Sequence, residues 1–557
     1  MIARGRRLAT AVALLCLVPA LPAMGLAIQH SSEPQQGLPW LQVAHPAGQR
    51  PVVVDSSGRT VILRGANLRG LEDDFFPIPG GGEPGPQPQY PIDPASYHGG
   101  CPPARAGAGE PPVCEVHAGL PEYAQPSSLG SGDDLAAIRA QGFDFVRLTV
   151  SWSLLEPTPG VYSQQYLDRI AQVVRWAREQ NVYVLLDMHQ DNFSRFIPDQ
   201  APLNANPVVG TASEQPNHAD GAPPWAVVTS GVPPEAIGGQ AELGSAVEAA
   251  FTSFWLNRIP TDGNGLPLPQ GAAPGPGLED HYLGAMNAMA QRFRDDSTVA
   301  GYEIMNEPLP GFITPVVFSA GFLYPFYSRV IDVLTAGGVN RQSFFFEPMA
   351  LRNQEDVPDQ LPLPFSSYRN LVYAPHDYTH AFTIDRIAGI APSQSPYPLS
   401  YDQPYQVADP EARSFGAALI CGEFGEFGGD PATYSEVVDG ITAAQDRALA
   451  GSTYWAWTGD PVSPLLTRVY PRATAGTLDS FAYDPAAKTF QMRATAASGI
   501  PAGDRTAETE VVIPSVAKGA VNVWGAAVLD DVVAHPDGTR SAYVAPTGAG
   551  DYMVRVS

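Results

Sequence analysis

Basic residues are scarce in this sequence. Lysine and arginine together number 32, against 57 aspartates and glutamates in 557 residues, which gives a formal net charge of −25. Beyond the N-terminus no cluster of lysine and arginine offsets this imbalance. A nucleic acid, being itself polyanionic, would be repelled by such a surface, so we expect no nucleic-acid partner.

Long apolar runs are also lacking, with one exception at the N-terminus. There, Arg4, Arg6 and Arg7 precede an apolar stretch over residues 8–22, and small residues follow at 25–27. This order is typical of an export signal, and the apolar stretch is shorter than the roughly 20 residues that a membrane-spanning helix needs. We therefore predict that residues 1–27 are a signal peptide and that the mature protein is secreted. An uncleaved membrane anchor is the alternative.

Cysteine is rare, with four residues in the chain, one of them inside the predicted signal peptide. Cys101 and Cys114 flank a loop rich in proline and glycine, and we predict a disulfide between them that stabilises the fold by about 3 kcal/mol in the chain-entropy description. Cys421 lies in an apolar run without a basic neighbour, which predicts a buried thiol rather than a nucleophile. The cysteine spacing does not indicate a zinc site.

Apolar runs of strand length alternate with amphipathic helix patterns over most of the chain. Continuous apolar strands of this kind are typical of a parallel sheet covered by helices, and eight of them favour a closed barrel over a doubly wound open sheet, which would share much of the pattern. The predicted strands are residues 61–67, 143–152, 182–189, 299–306, 343–348, 371–376, 417–423 and 452–457, and the predicted helices are 133–141, 164–180, 281–294, 318–336 and 433–450.

Two long insertions interrupt this alternation, at residues 72–130 and 193–277, and we expect both to form walls of a cleft at the carboxyl ends of the strands. From about residue 471 the pattern changes to short alternating segments, which predicts an antiparallel β-sandwich. The sequence thus predicts an α/β fold: a (β/α)8 TIM barrel with long loop insertions, residues 28–468, followed by a C-terminal antiparallel β-sandwich domain, residues 469–557.

Two glutamates follow apolar strands beside asparagine or glycine. Glu307 lies in Asn-Glu-Pro, where Pro308 predicts an extended backbone, and Glu423 lies in Gly-Glu-Phe-Gly. A pair of carboxylates facing each other across a sugar can cleave a glycosidic bond, with retention at a separation near ~5 Å and inversion at ~6.5 to 9.5 Å. The rival carboxylates for the catalytic pair are Glu303, Glu347 and Glu426. We rank Glu303 and Glu426 as supporting residues.

Three segments resemble glycoside hydrolase family 5 and, within it, the endoglycoceramidase branch: residues 306–308, 422–425 and 187–191. The resemblance implies retaining hydrolysis of the β-glycosidic bond between oligosaccharide and ceramide in glycosphingolipids, without a cofactor or a metal. It implies that Glu307 is the acid/base and Glu423 the nucleophile. The substrate-binding residues that it implies are Asn306 on the sugar 2-hydroxyl, His189 and Asp191 on other hydroxyls, Tyr378 on Glu423, Arg147 beneath the nucleophile, His376 lining the site and Trp457 as its floor.

A lipid substrate needs exposed apolar surface, and residues 311–318 are a candidate lip for it, the alternative being the packed start of the next helix. We expect transient contact with a membrane or micelle surface and a monomeric enzyme. Three alternatives stay open: a family 5 endo-β-glucanase or mannanase acting on soluble polysaccharide, a non-catalytic glycan- or lipid-binding barrel, and a metal-dependent hydrolase. The metal ligands in the last case would be Asp187, His189, Asp191, His376 and Asp377, although the His-X-His pattern is absent.

Overall fold

The computed structural model describes residues 38–69, 71–72, 132–194, 197, 220–232, 244–260, 275–355, 357–359, 363–381, 383, 400–426, 431–457 and 465–557. The predicted signal peptide, the predicted Cys101–Cys114 disulfide and most of both insertions lie outside these residues. Within them, no helix is both long enough and apolar enough to cross a membrane.

The strands fall into three groups along the chain. Three short strands come first, β1 (Leu41–Ala44), β2 (Val52–Asp55) and β3 (Thr60–Val61). Eight barrel strands follow: β4 (Arg64–Leu68), β5 (Phe145–Ser151), β6 (Tyr183–His189), β7 (Val299–Glu303), β8 (Ser343–Phe346), β9 (Leu371–Tyr373), β10 (Ala418–Phe424) and β11 (Gly451–Trp457). The last group is β12 (Tyr470–Thr474), β13 (Thr477–Asp484), β14 (Thr489–Ala496), β15 (Thr509–Ile513), β16 (Val521–Gly525), β17 (Ala527–Ala534), β18 (Arg540–Pro546) and β19 (Gly550–Val556).

The eight central strands close into one parallel barrel, in which each strand pairs with the next and β11 pairs with β4. The predicted (β/α)8 barrel is therefore confirmed. Its strands are apolar and almost wholly buried because helices cover the outer face and side chains fill the interior. Cys421, on β10, is a buried free thiol, as the sequence predicts.

In the part of the chain that the structure describes, ten α-helices accompany the barrel strands. They are α1 (Gly132–Ala140), α2 (Trp152–Leu155), α3 (Gln164–Glu179), α4 (Ser245–Trp255), α5 (Leu278–Phe293), α6 (Pro315–Phe318), α7 (Tyr324–Ala336), α8 (Leu351–Glu355), α9 (Gln403–Phe415) and α10 (Pro431–Ala448). All five predicted helices are present, and α6 and α7 are joined by a π-helical turn at Ser319–Leu323. Sequence analysis missed α4, inside the second insertion, and α9, because Pro410 interrupts the helical pattern of α9.

The C-terminal domain is the predicted antiparallel sandwich. One sheet has the order β1-β2-β3-β12-β15-β18-β17, and the other has the order β13-β14-β19-β16. The first three strands of the chain thus belong to the C-terminal sheet, where β3 pairs with β12, although residues 28–468 were predicted as one catalytic domain. Apolar side chains from both sheets form one core, which includes Phe490, Val512 and Val554.

This sandwich packs against the amino-terminal end of the barrel strands. The Tyr470 hydroxyl donates to the carbonyl of Gly142, just before β5, and Arg468 pairs with Asp446 near the end of α10. A further apolar cluster joins Val61 and Ala473 to the part of the barrel interior near the amino-terminal ends of the strands. The carboxyl ends of the strands are therefore the open end of the barrel, where enzymes of this fold carry their active sites.

Candidate active site

A buried arginine connects the carboxylates at the open end of the barrel. Arg147, on β5, places its guanidinium 2.6 Å from a carboxylate oxygen of Glu423 and 2.6 Å from one of Glu303. It also lies 3.1 Å from Asp187 and 3.4 Å from Glu347. Burial alone would lower the pKa of Arg147, but the surrounding carboxylates raise it well above its ordinary value. The guanidinium of Arg147, at the bottom of the site, is therefore always positively charged.

Glu423 lies on β10 with only 5% of its surface exposed. The Tyr378 hydroxyl donates to its Oε2 at 2.7 Å, and Arg147 donates to its Oε1 at 2.6 Å. Burial raises the pKa of Glu423 above its ordinary value, and the positive charges of His376 and Arg147 oppose that rise. Both oxygens thus receive a strong donor, an arrangement that favours a defined, ionised carboxylate.

Glu307 follows β7 at the rim, and its backbone is not extended. Its φ is +37°, in the left-handed region, so the expectation that Pro308 would hold it extended is wrong. The physical reason is a pair of tertiary contacts: the Glu307 N–H donates to Glu347 at 3.2 Å, and the Gln190 side-chain amide donates to the Glu307 carbonyl at 3.0 Å. Since such a conformation is costly for a residue other than glycine, these contacts hold the carboxylate in one place.

His376 lies between the two glutamates. Its Nδ1 is 2.8 Å from Oε1 of Glu307 and 3.5 Å from Oε2 of Glu423. One ring nitrogen of His376 and one carboxylate oxygen of each glutamate lie within 4.8 Å of one another. Inverting glycosidases separate their carboxyl groups by about 6.5–9.5 Å to leave room for a water, and retaining ones by about 5–5.5 Å, so this close approach of two carboxylate oxygens favours the retaining arrangement.

Two further residues of the predicted set join the same network. Asn306 is buried, with its Oδ1 accepting from Arg147 at 2.7 Å and its Nδ2 donating to the carbonyl of Gln190 at 3.0 Å. Tyr378 is buried beside Glu423. The structure therefore brings the predicted residues Asn306, Arg147, His376 and Tyr378 together around the two glutamates.

His189 and Asp191 lie at the end of the neighbouring strand β6. Nδ1 of His189 is 2.7 Å from Asp187, and its Nε2 is 3.3 Å from Asp191, whose side chain is 31% exposed. Burial alone would lower the pKa of His189, but the two aspartates raise it well above its ordinary value. The ring is thus held between two carboxylates, and Asp191 keeps a partly exposed carboxylate that can reach sugar hydroxyls.

The predicted floor of the site, Trp457, does not line it. Trp457 is fully buried, and its indole N–H donates to Asp134 at 2.9 Å. Trp455 is half-buried instead, and its ring stacks on that of His189 with a centroid distance of 5.3 Å and an interplanar angle of 12°. The pairing of β11 with β4 is irregular between Tyr454 and Trp457, which breaks the strand alternation and changes which indole faces the site. Of the two indoles, Trp455 is therefore the one that lies beside the site residues, where it also contacts the Arg69 guanidinium.

Sequence analysis did not predict the roles of two side chains that contact the backbone of Glu307. Glu347 was considered only as a rival carboxylate, and Gln190 was given no role beyond lying in the segment 187–191. The signal for both was their position at the carboxyl end of an apolar strand, which they share with Glu307 and Glu423. Their contacts to the Glu307 backbone depend on the left-handed conformation of that residue, which the sequence does not reveal.

Two groups of side chains have spacing that a metal ion could use. They are Glu303, Glu347 and His376, and Glu307, His376 and Glu423. Both include His376, whose pKa burial alone would lower but nearby carboxylates raise well above its ordinary value. Metal ligation requires a deprotonated imidazole, so these donors fit an ion-pair network better than a metal site. Within the described residues, the alternative ligand set around Asp187 does not form such a group.

Comparisons with known proteins agree with this geometry. The profile of cellulase (glycosyl hydrolase family 5) matches residues 114–461, and that of the glycoside hydrolase family 5 C-terminal domain matches residues 468–546. Endoglycoceramidase I of Rhodococcus hoagii (strain 103S) is 25% identical over 448 residues, which cover 76% of this chain and 80% of the relative.

Two solved structures are similar over nearly the whole chain. The crystal structure of endogalactoceramidase has a TM-score of 0.66 and 26% identity, and the alignment covers 93% of this chain and 100% of that one. The ganglioside GM3 complex of endo-glycoceramidase II from Rhodococcus sp. has a TM-score of 0.62 and 25% identity, with 90% and 99% covered. The expected resemblance to family 5 and to endoglycoceramidases is confirmed.

Proposed function

Because the chain belongs to glycoside hydrolase family 5, we propose that it is a retaining endo-β-glycosidase that releases the oligosaccharide of glycosphingolipids from ceramide. The observation that carries the mechanism is the pair Glu307 and Glu423, with carboxylate oxygens within 4.8 Å of each other at the open end of one barrel. The names of the similar proteins, endoglycoceramidase and endogalactoceramidase, support the substrate class.

In the first step, an oxygen of Glu423 forms a bond to the anomeric carbon while the bond from that carbon to the ceramide oxygen breaks. Glu307 gives its proton to the departing oxygen. In the second step, a water oxygen bonds to the anomeric carbon, the ester bond to Glu423 breaks, and the water proton passes to Glu307. Two inversions leave the configuration of the anomeric carbon unchanged.

Exposure distinguishes the two glutamates in these roles. The Glu423 side chain is only 6% exposed and receives donors on both oxygens, as a nucleophile that must be ionised requires. The Glu307 side chain is 32% exposed, so water and the leaving group can reach it. Asn306 and Asp191 would bind hydroxyls of the sugar between the glutamates, with Trp455 as the platform beneath it.

The apolar lip at residues 311–318 supports a lipid substrate. Phe312, Val316 and Val317 are 56%, 60% and 52% exposed, whereas Phe318 is buried against Trp255. The lip rests on α4, because the Phe312 N–H donates to Thr252 at 2.8 Å. Since it follows Glu307 in the chain, we propose that the lip contacts the ceramide chains and the surface of a membrane or micelle.

The remaining parts of the proposal concern the whole protein. Residues 1–27 have the composition of a signal peptide, which supports secretion of the mature enzyme. We further propose that the mature enzyme acts as a monomer, because Glu307, Glu423 and the described groups that contact them come from one chain.

Product analysis with two substrates tests the proposal. The purified enzyme is incubated in parallel with ganglioside GM3 in detergent micelles and with a soluble β-glucan, and released glycans are identified by mass spectrometry. We expect intact sialyllactose and free ceramide from the ganglioside, with little cleavage of the glucan. The Glu423→Gln variant is the control for contaminating activity. Rapid glucan cleavage with an intact ganglioside would instead indicate a polysaccharide hydrolase.

A further inference from the structure

Glu347 is a buried carboxylate in the catalytic network for which the two-step reaction gives no role. It directly follows β8, and its side chain is fully buried. Its Oε1 accepts the Glu307 backbone N–H at 3.2 Å and lies 3.2 Å from Nε2 of His376 and 3.4 Å from the Arg147 guanidinium. One oxygen atom thus contacts the acid/base, the histidine beside it and the arginine that binds the nucleophile.

The opposite side of the His376 ring faces both catalytic carboxylates. Its Nδ1 lies 2.8 Å from Glu307 and 3.5 Å from Glu423. A carboxylate oxygen lies beside each ring nitrogen of His376. Both nitrogens can donate to these oxygens only when both carry protons. A ring charged in this way is costly to bury unless anions surround it, and Glu347 is the anion on the Nε2 side.

The other neighbours of His376 do not replace this charge. Its backbone N–H donates to the neutral Asn353 side chain at 3.3 Å, and the neutral Tyr378 ring lies nearly perpendicular to it, with a centroid distance of 6.3 Å and an interplanar angle of 86°. Arg147 carries a positive charge, which would oppose protonation of His376 if Glu347 did not lie between the two groups.

We propose that Glu347 is a positioning residue that fixes the backbone of the acid/base and holds His376 as an imidazolium shared by both catalytic carboxylates. This inference rests on the roles proposed above for Glu307 and Glu423. Before the first step the negative charge is on Glu423, and the Nδ1–H of His376 stabilises it there. After the ester forms, Glu307 carries the charge, and the same N–H stabilises Glu307 as a base. His376 gains and loses no proton in the cycle.

The substitution Glu347→Gln removes the charge and keeps an oxygen that can accept the Glu307 N–H. The loss of an opposite charge at this distance should lower the pKa of His376 by about one unit or more. Because the proposed role of His376 requires its protonated form, the alkaline limb of the pH profile of kcat/KM should move to lower pH by about one unit. The substrate is a soluble aryl β-glycoside, and KM should change less than about twofold. In NMR spectra without substrate, the His376 ring should titrate at lower pH than in the wild type, with His376→Gln assigning the signal.

Two further variants separate charge from packing. Glu347→Asp keeps the charge but shortens the reach to the Glu307 N–H, so kcat should fall while the alkaline limb stays near that of the wild type. Glu411→Gln is the matched control, because Glu411 is also buried, pairs with Arg352 at 3.2 Å and accepts from Tyr373 at 2.8 Å outside the catalytic network. It should lower the melting temperature without moving the pH profile.

An unchanged His376 titration in Glu347→Gln would overturn the proposal, as would an equal shift of the pH profile in Glu411→Gln. If Glu347→Gln does not fold, the same decision falls to Glu347→Asp, in which a displaced alkaline limb would contradict the assigned role of the charge. The NMR titration needs no substrate, so failure to cleave a glycosphingolipid would reject the proposed function without affecting this result.

Discussion

The substitution Tyr378→Phe removes a single oxygen atom from the contacts of the nucleophile. The Tyr378 hydroxyl donates to Oε2 of Glu423 at 2.7 Å in a buried setting. A hydrogen bond to a charged group contributes about 1.5–3 kcal/mol, and about 1.36 kcal/mol corresponds to one pKa unit. The variant should therefore raise the pKa of Glu423, which burial already raises, by about one to two further units. Because Glu423 must be ionised to attack, the acidic limb of kcat/KM should move to higher pH by that amount.

The assay is the pH dependence of kcat/KM on a soluble aryl β-glycoside, measured for the wild type and the variant. Tyr373→Phe is the matched control, since its hydroxyl donates to the buried Glu411 at 2.8 Å and lies outside the catalytic network. We expect the control to lose stability and to keep the acidic limb of the wild type. An acidic limb that stays in place in Tyr378→Phe, or that moves equally in both variants, would refute the electrostatic role of Tyr378.

Five other substitutions, at three parts of the site, have distinct expected outcomes. Glu307→Ala should lose about 10²- to 10⁴-fold in kcat, as expected for a general acid/base, and added azide should restore turnover with a β-glycosyl azide as product; an α-azide would contradict a retaining site. Trp455→Ala should raise KM about fivefold, because an aromatic ring contact is worth about 1 kcal/mol, whereas Trp457→Phe should lower the melting temperature with little change in KM. Phe312→Ser and Val316→Ser should each weaken activity on micellar glycosphingolipid about fivefold, from about 1 kcal/mol of lost burial, and should leave cleavage of a soluble aryl β-glycoside unchanged. Equal losses on both substrates would reject the lip as a lipid contact.

Much of the barrel could be predicted from the sequence because its strands are buried on both faces and read as continuous apolar runs. The helix α9 could not be predicted, since Pro410 lies inside it and local rules treat proline as a helix breaker. The sequence of β17 does not indicate a strand clearly, because Asp530 and Asp531 interrupt its apolar alternation at the edge of the sheet. The pairing of β3 with β12 joins residues about four hundred positions apart, which no local pattern indicates.

The site was predictable to the extent that its residues lie at or just beyond the carboxyl ends of apolar strands, as Glu423 and Glu307 do. The backbone conformation of Glu307 could not be predicted, because the contacts from Gln190 and Glu347 outweigh the local preference of a residue before proline. The choice between Trp455 and Trp457 also failed, since positions two apart share a face in a regular strand and only the irregular pairing of β11 separates them.

The central claim is that Glu423 forms a covalent bond to the sugar while Glu307 supplies and removes the proton. Trapping with an activated 2-deoxy-2-fluoro-β-glycoside tests it directly, because the fluorine slows both steps and the good leaving group allows the glycosyl-enzyme to accumulate. Peptide mass spectrometry of the inactivated enzyme should find one fluoroglycosyl group, on the peptide that contains Glu423. A label on the peptide that contains Glu307 or Glu347, or inversion of the anomeric centre in the product of a normal substrate, would contradict the account.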